Sequence, residues 1–481
     1  MAHIVIVTSG LTGLFHASLA LIAQLKAAGH RVTYASPGDL AQPLADLQIP
    51  FVLLPPWQFP AEPQPQLSTW QKWRRIKSRQ RQAVRTLGLE QFTRAMVSLS
   101  PDLLLIDIEM HPQIMAAVSQ QFRVALLCPF FSIWRRAGVP PLHVDTSPGE
   151  DWHGQWWGMQ WSWLRYSWSK RIDALRDRWQ KQGLDWRSIL RRTAIEIDYP
   201  FKNTFGFSHW LSPYPHDATL PVLCLHAEVL DLPHRAQPTV HYMGPMVCDT
   251  LFAQGEMSAD LLTFLQKRQG EKLIYCGAST FSSVSQSLLR SIIALASLCP
   301  SWDFVVSLGG ASAFEQLAND SLPANLCVLS WVPQLALLQR ADCAIINGGP
   351  HTITECVHYE VPMLVVPMSK DDQRGNAVRA AYHGLGIVRS LESCCEQTLL
   401  GDVKALLGEP AYRKNLARMK QSFQRYSTVG TVAHIIKSLL PIDGGLSPPN
   451  ALLQVVTLPD ANLNAKSSPE SNIQSSDIYE S

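Results

Sequence analysis

The chain has 481 residues, 46% of them apolar and 17% charged, with a net charge of +2. At roughly 100–200 residues per domain this is a globular chain of two or three domains, and a near-neutral, unclustered charge argues against a nucleic-acid partner. Its ten cysteines are scattered, without a C-x-x-C pair or a Cys/His cluster at zinc spacing, which argues against a disulfide framework or a structural metal.

In chain order, the first element is the apolar strand HIVIVT (3–8). A turn with Gly10 and Gly13 follows, then a helical run with Leu19, Ile22 and Leu25 on one face that ends at Gly29, and then the strand RVTYAS (31–36). This βαβ unit predicts parallel strands with a right-handed crossover. Further strands are expected at 51–55, 101–107 and 123–129, and the rhythm restarts after about residue 258 with strands at 272–277, 303–308, 325–330, 342–347, 362–367 and 386–390. Strands that are apolar throughout, rather than alternating, fit a parallel sheet covered on both faces. The expected fold is α/β, with two Rossmann-like doubly wound domains facing across a cleft: 1–242, a linker at 243–258, and 259–440 with its last helix packing back on the first domain. The Ser/Pro/Asn-rich segment 441–481 is expected to be a disordered tail. The start lacks a charged leader with a signal-length apolar run, and no window approaches the roughly 20 apolar residues of a membrane span, so a cytoplasmic location is expected.

Two stretches of the first half stand out. Residues 72–85, KWRRIKSRQRQAVR, hold seven Lys/Arg and no acid; they read as a solvated helix face or as a contact for anionic lipid headgroups. Thirteen of the fifteen tryptophans precede residue 211, six of them within 152–168. That stretch reads either as an aromatic acceptor pocket or surface, peripheral membrane contact included, or as a Trp-rich helical hairpin packed on its own sheet.

The segment IINGGPHTITE (345–355) carries the chemistry. An apolar strand runs into Gly348 and Gly349, which allow close approach of backbone to ligand, and Pro350 suits the first position of a helix. The free N–H groups and dipole of that helix start favour a phosphate. Around it the order is W-x-P-Q (331–334), A-D (341–342), the glycine pair, T-x-x-E (352–355), V-P-M (361–363) and D-Q-x-x-N-A (372–377). This string resembles the sugar-nucleotide signature of family-1 glycosyltransferases, the UDP-glycosyltransferases of GT-B fold.

The resemblance implies roles for individual residues. Trp331 would stack on the base, with Val332 reading its edge, and Gln334 and Glu355 would hold the ribose. Gly348, Gly349, Thr352 and Ser279 would hold the diphosphate, and Asp372 and Gln373 the donor sugar. His16 would act as general base, oriented by Asp107, with Glu109 as the alternative partner. No metal and no bound cofactor are implied, and the UDP-sugar is a co-substrate.

The sequence departs from that pattern in places. Asn347 stands where the family has a histidine facing the phosphate, Phe15 and Ala278 stand at usual glycines, and Gln339 at a usual histidine. Asn347 can donate only a neutral hydrogen bond, whereas charge-assisted bonds are about twice as strong. His351, four residues on, would share its face if the helix has begun there and would supply the missing donor. The leading expectation is an inverting transferase moving a hexose, glucose first, from a UDP-sugar to a hydroxyl of a lipophilic small molecule such as a carotenoid or sterol. A UDP-sugar epimerase of the same fold, or a nucleotide-sugar-binding homologue with weakened catalysis, are the alternatives.

Overall fold

The computed structural model describes the chain except residues 11, 56–67, 137, 150–151, 153, 200–218, 236, 249–256, 269, 278–285, 310–321, 369–371, 429 and 441–481. The expected tail, half of the expected linker and Ser279 therefore lie outside the described residues.

Two parallel sheets organise the molecule. The first has seven strands in the order β3-β2-β1-β4-β5-β6-β7, and the second six in the order β10-β9-β8-β11-β12-β13. In the first sheet the strands are β1 His3–Val7, β2 Arg31–Ser36, β3 Phe51–Leu53, β4 Leu103–Asp107, β5 Val124–Cys128, β6 Val222–Cys224 and β7 Val240–Tyr242. In the second they are β8 Lys272–Gly277, β9 Trp302–Ser307, β10 Leu326–Leu329, β11 Cys343–Ile346, β12 Met363–Val365 and β13 Gly386–Val388. Every described ladder is parallel. Strands β1, β4, β5 and β11 are buried along their whole length, which is why they read as unbroken apolar runs. The eleven strands expected from sequence all form; β6 and β7, three residues each, extend the first sheet beyond them.

In each sheet the strand order reverses at one place, between β1 and β4 and between β8 and β11. Chain leaving the carboxyl ends of these strands opens a crevice suited to a ligand. Residues Val432, Ile435, Ile436 and Leu439 of the helix Thr431–Leu439 join the core of the first sheet, against Ile22 and Leu25 of the helix Thr12–Ala27.

The Trp-rich stretch forms one helix, Trp156–Gln180, preceded by Trp152. Of the six tryptophans in 152–168 only Trp163 is buried, its indole N–H donating to the Val139 carbonyl at 2.8 Å; the other five are exposed. All ten cysteines are free thiols.

Candidate functional site

The crevice of the first sheet begins at Gly10, whose φ of +84° turns the chain sharply after β1. A Cβ there would sit 2.9 Å from the Ser36 hydroxyl, so the turn is closed to larger residues. The turn delivers the helix Thr12–Ala27 with His16 near its start. Burial holds the His16 imidazole down at about 4, so at neutral pH it is uncharged and able to accept a proton. Phe15 is buried, its ring edge against Tyr34 and close to His16, with centroids 5.8 Å apart in each pair.

Asp107 ends β4 and is buried. Among the described residues it accepts hydrogen bonds from the Ser9 hydroxyl at 2.6 Å, the Ser9 N–H at 3.3 Å and the Glu109 N–H at 3.1 Å. Burial pushes its carboxyl up from the usual range, and these three bonds pull against that shift. The donors to Asp107 are thus the turn that carries His16 and its own following loop. Sequence reasoning passed over Ser9; the T-S-G step directly after β1 is the signal that could have marked it.

Across the crevice, β11 ends at Ile346; Asn347 follows it, then Gly348 with φ +85°. A Cβ on Gly348 would lie 3.0 Å from the Gln373 carbonyl oxygen and 3.1 Å from Val365 Cγ1. The helix Pro350–His358 starts on Gly349 as its N-cap. Because the helix begins only at Pro350, Asn347 and His351 are not one helical turn apart. They share something else: the Asn347 Nδ2 and His351 Nε2 atoms are both buried without a partner among the described residues. Burial, with His226 and His16 nearby, holds the His351 imidazole down at about 3. His351 therefore offers a neutral donor, not a cation. It also reaches across the crevice, its Cδ2 lying 3.9 Å from where a Gly13 Cβ would be.

Gln334 is the hub of the next part. Its carbonyl oxygen accepts from the Tyr275 hydroxyl at 2.9 Å, and its amide donates to Thr352 Oγ1 at 3.3 Å and to the Glu355 carboxylate. Burial pushes the Glu355 carboxyl up to about 7. Val332 is buried, whereas Trp331 leaves 54% of its surface open and so is not a core residue. At the far end Asp372 precedes the helix Gln373–Tyr382, and the Gln373 side-chain oxygen accepts the Met368 N–H at 2.8 Å. Asn376, wholly buried, donates to the Gly348 carbonyl at 2.9 Å and to Asp372 at 3.0 Å. Asn376 ties the glycine turn to the Asp372–Gln373 corner; its i+4 spacing from Asp372 was the sequence signal for this.

The two sheets' units meet through buried polar groups. Arg379 and Asp231 pair at 2.6 Å with both side chains out of water. Although burial pushes the Asp231 carboxyl up, the Arg379 guanidinium holds it below the usual carboxylate range. The Gly375 N–H donates to the Leu142 carbonyl at 2.7 Å, and a Cβ on Gly375 would come within 2.5 Å of that oxygen. His226, also buried, donates from Nε2 to the Phe130 carbonyl at 2.9 Å.

Residues 303–439 match the family model described as "Erythromycin biosynthesis protein CIII-like, C-terminal domain". The chain is 28% identical over 173 residues to oleandomycin glycosyltransferase of Streptomyces antibioticus, covering 36% of this chain and 39% of that protein. It is 25% identical over 217 residues to zeaxanthin glucosyltransferase of Pantoea ananas, covering 44% and 47%. The chain thus spans less than half the length of either relative. The crystal structure of the glycotransferase of kitacinnamycin superposes with a TM-score of 0.65 at 20% identity, over 92% of this chain and 99% of that one, a likeness of fold.

Proposed function

We propose, from the premise that the chain belongs to the family-1 glycosyltransferases of GT-B fold, that it moves a hexose, glucose first, from a UDP-sugar to a hydroxyl of a lipophilic small molecule with inversion. The observation that carries this reading is the Gln334–Thr352–Glu355 cluster beside the left-handed Gly348 turn, facing the helix that bears His16.

In the proposed step the neutral His16 imidazole takes the proton from the acceptor hydroxyl. The acceptor oxygen attacks the anomeric carbon from the face opposite the diphosphate. The bond from that carbon to the diphosphate oxygen breaks, and UDP leaves with the electron pair. The start of the helix Pro350–His358, with the Asn347 and His351 donors, stabilises the charge that gathers on the leaving oxygen. Asp107, through Ser9, fixes the turn from which His16 projects. Asp372 and Gln373 are the proposed grip on the sugar hydroxyls, with Asn376 holding their corner. Ser279 is the further proposed phosphate contact.

Glu355 favours a ribonucleotide donor. A carboxylate set to accept two neighbouring hydroxyls loses a partner with a 2′-deoxyribose, and a buried group left unpaired costs about 1–3 kcal/mol. The lipophilic acceptor has support in the zeaxanthin glucosyltransferase relative. The leaving diphosphate would face the start of the helix Pro350–His358, which can stabilise its charge without a metal. Activity is therefore expected to be unchanged in excess chelator; loss in chelator with recovery on added magnesium would count against this mechanism.

The direct test is incubation with labelled UDP-glucose and a panel of hydroxylated carotenoids, sterols and polyketides. Label passing into the organic phase supports the reading. Interconversion of the UDP-sugar without acceptor would instead favour an epimerase, and tight UDP binding without turnover a weakened homologue.

A further inference from the structure

The helix Trp156–Gln180 has two apolar faces. One is packed into the first domain through Met159, Trp163 and Tyr166. On the opposite side, Trp157, Trp161, Trp168, Ile172, Leu175 and Trp179 are each 55–73% exposed. Their spacings of four, seven, four, three and four place them within an arc of about 60°, and the row runs roughly 33 Å along the helix at 1.5 Å per residue. Unlike scattered surface apolar residues, this is one continuous stripe of large side chains, mostly indoles.

The charges around the stripe are sorted. At helical spacing Arg165 and Arg176 fall on one flank and Arg171 and Arg178 on the other, while Asp173, Asp177 and Lys170 fall on the far side, Lys170 over the Tyr166 ring. Arg171 lies over the Trp168 ring at 5.1 Å. The basic run 72–85 is fastened to the end of the same stripe. Arg79 donates to the Gln182 carbonyl at 3.1 Å, Gln80 to the Gly183 carbonyl at 2.7 Å, and the rings of Trp73 and Trp179 lie 6.2 Å apart. Exposed Trp70 adds a further indole, with Arg74 over it at 5.2 Å. Arg74, Arg75, Lys77, Arg81 and Arg85 of this run are exposed, Arg81 pairing with Glu196 at 3.4 Å.

We infer that this face docks the protein on the surface of an anionic lipid bilayer, with the helix Trp156–Gln180 lying in the plane of the interface. Indoles seat at the headgroup level, arginines extend from the apolar boundary to the lipid phosphates, and a juxtaposed basic segment adds long-range attraction. A second copy of the chain is a poor occupant, because it would bring the same basic flanks face to face. No helix among the described residues is long and apolar enough to cross a membrane, so the attachment is peripheral. The inference rests on this surface alone and stands whether or not the transferase reading holds.

The test is co-sedimentation of the full chain with vesicles of phosphatidylcholine alone or of equal parts phosphatidylcholine and phosphatidylglycerol. Binding to the anionic vesicles is expected, at least about tenfold stronger than to the neutral ones, and largely lost in roughly 1 M salt, where the Debye length is about 3 Å. A Trp157→Ser/Trp161→Ser/Trp168→Ser variant with an unchanged thermal midpoint should partition about tenfold less. Brominated lipids should quench the fluorescence of the unaltered protein, a readout that needs no variant. Absence of both binding and quenching would overturn the inference, as would a dimer in solution that the same tryptophan variant dissolves.

Discussion

At the residue scale the phosphate end of the proposed donor site presents two neutral groups, Asn347 and His351, whose Nδ2 and Nε2 atoms are buried. Glu355, with its carboxyl pushed up to about 7, changes charge within the working range of most assays. As the ionised form is the better acceptor for a diol, UDP should bind more tightly as pH rises from 6 to 8, with Glu355→Gln flattening the profile; isothermal calorimetry reads both. The same variant should lose most of the preference for UDP over its 2′-deoxy counterpart, about 10-fold or more for one charged hydrogen bond. His351 is held neutral and its Nε2 lacks a partner among the described residues. Removing a donor aimed at developing charge costs about 10²–10³ in turnover, so His351→Ala should fall into or near that range while Asn347→His is neutral or mildly activating. Near-normal kcat for His351→Ala would remove it from the mechanism.

At the element scale the glycine turn was legible because its determinants are local. A left-handed residue between a buried strand and a helix start needs glycine, and Gly348 at φ +85° supplies it. Gly348→Ala must both adopt that φ and push on the Gln373 carbonyl 3.0 Å away; a loss of about 1–3 kcal/mol in urea unfolding, with weakened UDP binding, is expected. Most of the eleven strands could be read because they are apolar runs buried on both faces, as in β1, β4, β5 and β11; β3, which is only half-buried, was read from its apolar run alone. β6 and β7 were missed although β3, β12 and β13 are as short: β6 sits in the apolar run PVLCL (221–225), which was passed over, and His241 in β7 breaks the apolar signal. The Trp-rich helix shows a different limit. Its apolar spacing was visible, but periodicity cannot tell which of two apolar faces meets the core, and here the row of tryptophans faces out while Trp163 faces in.

At the scale of the whole molecule the contacts between residues far apart in sequence, within a domain or between domains, were not legible, because they carry no local signature. Ser9 and Asp107, 98 residues apart, are one case, and Asp231 and Arg379, 148 apart, are another. Breaking a buried pair by removing one partner costs about 3–5 kcal/mol. Arg379→Met should lose that much in urea unfolding, and adding Asp231→Asn should recover part of it by removing the stranded charge. Acid acts on the whole fold too. Burial holds His226 at about 4 and His351 at about 3, below the 6.5 of an unfolded chain. Between 6.5 and about 4 the unfolded state binds more protons, so stability falls as pH drops, by about 1.4 kcal/mol per unit for each such histidine. Glu355, raised from 4.5 to about 7, has the opposite sign: its ionisation costs stability as pH rises through that window. Glu355→Gln should therefore steepen the acid loss, which chemical denaturation at a series of pH values between 4 and 7 would record.

The most direct measurement is transfer from labelled UDP-glucose to a hydroxylated carotenoid by the unaltered chain and by His16→Ala, with UDP affinity measured on both. Transfer should occur with the unaltered chain, and His16→Ala should lose about 10²–10⁴-fold in kcat while UDP affinity is unchanged. Equal turnover by the variant, or no transfer to any acceptor from a protein that binds UDP, would contradict a His16-driven glycosyl transfer.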